Sequence, residues 1–72
     1  MKKYNIIKVG GKEFWWRIYG YRGGRKLEII FTPENLPEYM GVTQDLSFLN
    51  YPPSEIIEMV KTECTDYLNT LP

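Results

Sequence analysis

The stretch KEFWWRIYGYRGGRKLEIIF, from Lys12 to Phe31, decides the fold of this chain. It consists of two runs rich in aromatic and β-branched residues, and the pair Gly23-Gly24 separates them. Two such runs around a Gly-Gly pair are typical of a β-hairpin. The sequence therefore predicts two antiparallel strands with both glycines in the turn, which places Arg17 opposite Ile30.

The two faces of this hairpin differ, because side chains alternate between the faces of a strand. One face is apolar throughout, and we expect it to form the core; it carries Phe14, Trp16, Ile18, Leu27, Ile29 and Phe31. The opposite face, called the outer face below, mixes aromatic, charged and aliphatic residues: Trp15, Arg17, Tyr19, Tyr21, Lys26, Glu28 and Ile30. Any function of the sheet should lie on the outer face.

Shorter patterns on either side extend the hairpin. Residues 2–9 alternate weakly and precede Gly10-Gly11, which predicts a first strand. A two-residue turn at the glycines sets Ile7 opposite Phe14, whereas a bulge there shifts the strand by one residue and swaps its faces, and the sequence leaves both registers open. Thr32-Pro33-Glu34 has the composition of a helix start, so one or two helical turns are expected there. Residues 42–48 fit either a short fourth strand or an irregular loop.

The C-terminal part of the chain predicts one amphipathic helix. Ser54 is the expected N-cap, and apolar residues recur at intervals of three and four up to about Asn69. We expect this helix to cover the apolar face of the sheet. The predicted fold is a single α+β domain over residues 1–72: a three-stranded antiparallel meander, with a short fourth strand as an option, packed against the C-terminal helix.

Several functional classes lack the residues that they need. The chain has no histidine, and its single cysteine, Cys64, lies on the apolar stripe of the predicted helix. A lone cysteine excludes an intrachain disulfide and fits a reducing compartment, and no apolar stretch approaches the length of a membrane span. We therefore expect a cytoplasmic protein without catalytic residues, metal, cofactor or small-molecule substrate.

Charge is distributed unevenly, although the net charge is zero. Residues 1–31 contain eight basic and two acidic residues, a net charge of +6, whereas residues 32–72 contain one basic and seven acidic residues, a net charge of −6. This asymmetry fits a charged partner, but it also fits attraction between the two halves within the fold. We favour the second interpretation, because a neutral chain attracts nucleic acid poorly.

Three hypotheses compete for the outer face. In the first, residues 32–53 fold over it and bury it. In the second, it binds a protein partner or a second copy of the chain, because Trp, Tyr and Arg dominate protein-binding sites; the contact residues are Trp15, Arg17, Tyr19, Tyr21 and Ile30. In the third, it binds nucleic acid through aromatic stacking and phosphate contacts, the latter made by Arg17, Arg22, Arg25 and Lys26.

The predicted layout, a three-stranded sheet backed by a C-terminal helix, is similar to that of plant ethylene-response-type DNA-binding domains and of the arm-binding domains of phage integrases. The chain also loosely resembles these domains in its alternating arginine and tryptophan residues, which are Trp15, Trp16 and Arg17, with Arg22 and Arg25 near the turn. The acidic second half departs from both families. The sequence thus favours a small non-catalytic interaction module that binds protein, with sheet-mediated nucleic-acid binding as the alternative.

Overall fold

The computed structural model describes residues 3–22, 24–36, 38, 40–47 and 51–71, with only the backbone described at Tyr21 and Ser47. Its four strands form one antiparallel sheet in the order β1-β2-β3-β4, and one helix follows. The elements are β1 (Asn5–Val9), β2 (Lys12–Tyr21), β3 (Gly24–Ile30), a 3-10 helix (Pro33–Asn35), β4 (Gly41–Ser47) and α1 (Pro53–Asn69). The α+β prediction is confirmed, and the fourth strand is present.

The first hairpin has the register that a two-residue turn sets. Gly10 and Gly11 have φ angles of 60° and 81°, the left-handed values that a two-residue type I′ turn requires. Ile7 consequently pairs with Phe14 and Ile6 with Trp15.

The predicted register of the second hairpin is wrong by two residues. Tyr21 pairs with Gly24, so Gly24 belongs to β3 and the turn precedes it; Gly23 lies outside the described residues. Arg17 therefore pairs with Glu28 instead of Ile30. The predicted register would also have set Arg22 directly opposite Arg25, and like charges at opposed positions destabilise a strand pair. A shift of two residues leaves every side chain on its predicted face.

Helix α1 packs against the inner, apolar face of the sheet. It begins two residues earlier than predicted: Pro52 is the N-cap and Pro53 the first helical residue, so Ser54 lies in the first turn and is not the cap. Proline suits this position because it lacks the N–H that would otherwise go unpaired. The core combines residues of both layers: Phe14, Leu27, Ile29, Phe31, Leu46, Ile56, Val60 and Cys64.

The segment between β3 and α1 extends the sheet. As predicted, a short helical turn starts at Pro33, but the Thr32 hydroxyl makes no capping bond and instead accepts a hydrogen bond from the Met40 N–H at 2.8 Å. Strand β4 then pairs along β3, and a bulge between Arg25 and Lys26 leaves Leu46 without a register partner but buried in the core. Residues 41–47 thus lie beside β3 in the sheet.

Gly41 opens β4 at a point where the backbones come unusually close. A Cβ atom at this position would lie 2.4 Å from the carbonyl oxygen of Ile29, too near for any other residue without a shift of the chain. Within the described residues, no helix has the length and apolar character needed to cross a membrane.

Candidate functional site

The outer face carries charges that are matched across neighbouring strands. On this face each basic side chain has an acidic register partner: Lys8 with Glu13, Arg17 with Glu28, and Lys26 with Asp45. The described strands thus carry three basic and three acidic residues on this face. The face is therefore neutral, although the N-terminal half of the chain is strongly basic.

Arg17 lies at the centre of this face and is held on three sides. Its Nε is 2.5 Å from Oε1 of Glu28, and its guanidinium carbon lies 5.1 Å from the ring centre of Tyr4 and 4.8 Å from that of Tyr19. The same Oε1 of Glu28 accepts a hydrogen bond from the Tyr4 hydroxyl at 3.2 Å. The hydrogen bond that Arg17 donates to Glu28 raises the pKa of the guanidinium above its ordinary value. The guanidinium of Arg17 thus contacts one ring of its own strand, Tyr19, and one ring that precedes β1, Tyr4.

Trp15 makes a hydrogen bond through its indole nitrogen and a ring contact with Tyr4. Its Nε1 donates a hydrogen bond to Oε2 of Glu13 at 2.9 Å, and its ring centre lies 5.7 Å from that of Tyr4 at an interplanar angle of 31°. Trp15, Tyr4 and Tyr19 are all half-buried. The three rings thus keep exposed surface while their orientations are set by contacts within the protein, which lowers the entropy cost of binding.

One apolar row crosses the outer face from edge to edge. Ile6 in β1 is the register partner of Trp15, which pairs in turn with Ile30, and Ile30 pairs with Gly41. The exposed fraction falls along this row from 60% at Ile6 to 0% at Ile30. Ile30 is therefore inaccessible to a partner, contrary to our prediction, whereas Ile6 is accessible. The predicted contact residue Tyr21 has a side chain outside the described part of the structure.

The four basic residues of the nucleic-acid hypothesis do not form one surface. Arg17 and Lys26 lie on the outer face beside acids, Arg22 is exposed in the turn, and Arg25 points to the inner side of the sheet. There Arg25 lines a groove of about 280 Å³ together with Trp16, Ile18, Tyr51, Pro53, Ile56 and Ile57.

This groove also changes the expected role of Trp16. Trp16 packs against the core cluster but is only half-buried, because it lies where the start of α1 leaves the inner face partly open. Trp15 and Trp16 are therefore both half-buried, although they lie on opposite faces of the sheet.

In the part of the chain that the structure describes, no group of three or more Cys, Asp or Glu side chains is arranged to hold a metal ion. Cys64 is fully buried in the core. Burial, and secondarily the charge of Glu63, raises the pKa of its thiol to about 11, so the thiol stays protonated at neutral pH.

Glu28, Glu13 and Tyr4 were missing from the predicted site. Glu28 was hidden by the register error, which placed Ile30 opposite Arg17. The signal that identifies it is the match of opposite charges once the hairpin is shifted by two residues. Tyr4 precedes β1 and enters the site through its ring and hydroxyl contacts.

Comparisons with models of protein families, with curated proteins and with solved structures gave no match.

Proposed function

We propose that this chain is a small non-catalytic interaction module that binds a protein partner through the outer face. The observation that carries the proposal is the cancellation of charge on this face, which leaves half-exposed aromatic rings as its distinctive chemistry. Such a surface fits a partner with an apolar centre and charges of both signs around it. Aromatic rings that are already fixed in place are typical anchors of protein interfaces.

Nucleic-acid binding has weaker support from the same surface. A phosphate backbone is bound chiefly by unmatched positive charge, which also makes the binding strongly dependent on salt. Arg17 already contacts Glu28 and two tyrosine rings, and its side chain is only 20% exposed. A phosphate would have to compete with all three of these contacts.

Site-specific photocrosslinking in the cells that produce the protein would test the proposal. A benzoylphenylalanine replaces Tyr19 in one variant and Thr65 in the other; Thr65 is exposed on α1 and serves as the matched control. We expect a protein adduct of discrete mass from position 19 and none from position 65, and loss of the position-19 adduct on Trp15→Ala. Equal adducts from both positions, or no adduct from either, would contradict the proposal.

Oligonucleotide titration supplies the second measurement. The wild-type chain should show no binding to mixed single- and double-stranded oligonucleotides at low salt. Binding that falls steeply with salt and is lost on Arg22→Glu with Arg25→Glu would instead establish the nucleic-acid alternative.

A further inference from the structure

The two edges of the sheet differ in regularity. All five pairs between β1 and β2 follow one register, whereas β4 contains a bulge and starts at a glycine. Bulges and irregular ends protect an edge strand against pairing with another strand, and β1 has neither. Within the described residues, β1 has a hydrogen-bonded neighbour on one side only.

The free side of β1 presents backbone groups at known positions. Val9 and Lys12 flank the two-residue turn, so they form a hydrogen-bonded pair, and the pattern alternates from there along the strand. The N–H and C=O groups of Ile6 and Lys8 therefore point away from β2. Ile6 combines these free backbone groups with one of the most exposed apolar side chains of the described residues.

We propose that β1 pairs antiparallel with β1 of a second copy of this chain, around a two-fold axis at Ile6. In this register Ile6 faces Ile6 of the other copy, Tyr4 faces Lys8, and Lys3 faces Val9. The two sheets then form one eight-stranded sheet. The apolar row on each outer face continues into the other, with both Ile6 side chains between the two Trp15 side chains.

Charge selects this register among the alternatives. An axis at Lys8 would set two Lys8 side chains directly opposite each other, and an axis at Asn5 would set Lys2 opposite Lys8, so both are disfavoured. An axis at Ile7 is free of opposed charges, but it leaves Lys3 unpaired and places Tyr4 opposite the turn residue Gly10. The axis at Ile6 is the one that pairs every residue from 3 to 9.

The inference goes beyond the proposed function and does not depend on it. Pairing through β1 uses the edge of the sheet and leaves the position of Tyr19 open to a partner, so either proposal can fail alone. If both hold, the dimer presents two copies of the outer face on one continuous surface, and a partner with two matching sites would bind with increased avidity.

Sedimentation equilibrium of the full chain, from micromolar to millimolar protein, tests the inference. We expect a monomer–dimer equilibrium that Ile6→Pro weakens by roughly tenfold to a hundredfold, because one outward N–H and one apolar contact are lost from each copy. The matched control is Thr43→Pro, on the opposite edge of the sheet. The Phe31 N–H donates to the Met40 C=O, and hydrogen-bonded and non-hydrogen-bonded pairs alternate from there along β3 and β4. The N–H of Thr43 therefore points away from β3. Thr43→Pro should leave dimerisation unchanged. A wild-type chain that stays monomeric, or a dimer that Thr43→Pro weakens and Ile6→Pro does not, would overturn the inference.

Oxidative cross-linking keeps the test decisive if Ile6→Pro does not fold. Two Ile6 Cα atoms in a hydrogen-bonded pair lie about 5.5 Å apart, within the range of a disulfide, whereas two Lys8 Cα atoms would be separated by roughly 14 Å. Ile6→Cys should therefore cross-link under mild oxidation and Lys8→Cys should not, with the buried Cys64 left in place. Equal cross-linking of both variants, or of neither, would overturn the proposed register.

Discussion

The inner and outer faces of the same sheet are stabilised by different interactions. On the inner face, helix α1 covers aliphatic and aromatic side chains, and Phe31 stacks on Tyr67 with ring centres 4.5 Å apart. On the outer face no helix of the described residues packs, and the side chains are arranged by opposite charges at register positions, by the ion pair of Arg17 with Glu28, and by the contacts of Arg17 with Tyr4 and Tyr19. The first face is ordered by exclusion of water and the second by directional contacts.

This difference assigns stability to the inner face and the proposed function to the outer face of a chain of 72 residues. A domain of this size buries limited apolar surface, so substitutions on the inner face should affect folding first. The outer face keeps its rings fixed without burying them, which leaves apolar area available for binding. Folding and binding can therefore be tested with separate sets of variants.

The largest expected effect comes from Ile29 and Ile30, two neighbouring isoleucines with opposite orientations and no exposed surface. Ile29→Ala should lower the free energy of unfolding by about 2–5 kcal/mol, because it leaves a cavity in the core under α1. Ile30→Ala should cost less, roughly 1–2 kcal/mol, because no helix of the described residues covers the outer face and the surroundings of Ile30 can relax into the space more readily. Urea unfolding measures both. If Ile30→Ala costs as much as Ile29→Ala, the outer side is a second core and the comparison fails.

An intermediate effect is expected for the ion pair at the centre of the outer face. In a double-mutant cycle with Arg17→Met and Glu28→Gln, we expect a coupling energy of about 1–2 kcal/mol, since the two side chains are only 20% and 14% exposed and are close in space.

The matched control is the exposed pair Lys61–Glu58 on α1, whose charged atoms lie 3.8 Å apart. Its coupling energy should be near zero, about 0–0.5 kcal/mol, because water and salt screen it. Coupling energies of equal size in the two cycles would show that Arg17 and Glu28 contribute no more than an ordinary surface pair.

Sequence periodicity predicted the two faces correctly but not the register that builds the site. Periodicity reports the face on which a side chain lies, and a shift of two residues changes no face, so the alternation of Phe14 to Phe31 fits both registers equally well. What distinguishes the registers is the identity of opposed side chains. Arg17 opposite Glu28 is favourable and Arg22 opposite Arg25 is not, and applying that criterion would have revealed the ion pair.

Burial was also harder to predict than orientation. Trp16 has the predicted orientation but is only half-buried. Its burial depends on where α1 begins relative to β2. The periodicity of the helix sequence gives no information on this position. Ile30 has the predicted orientation as well but is completely buried, although it was predicted as a contact residue for a partner. Both cases depend on tertiary packing between segments that are distant in the sequence.

The smallest effect concerns Cys64 and tests whether the inner face is closed. Burial raises the pKa of this thiol from its ordinary value of 9.0 to about 11. Above pH 9 the unfolded chain loses the proton more readily than the folded chain, so this contribution to stability is present below pH 9 and is lost as the pH rises towards 11. At pH 10 the free energy of unfolding should have fallen by roughly 1 kcal/mol more in the wild-type chain than in Cys64→Ala, which removes the thiol and leaves the other titrating groups in place. Urea unfolding at pH 8 and pH 10 gives this difference. Equal pH dependence in the two proteins would mean that water reaches the thiol. The inner face would then exclude water no better than the outer face does.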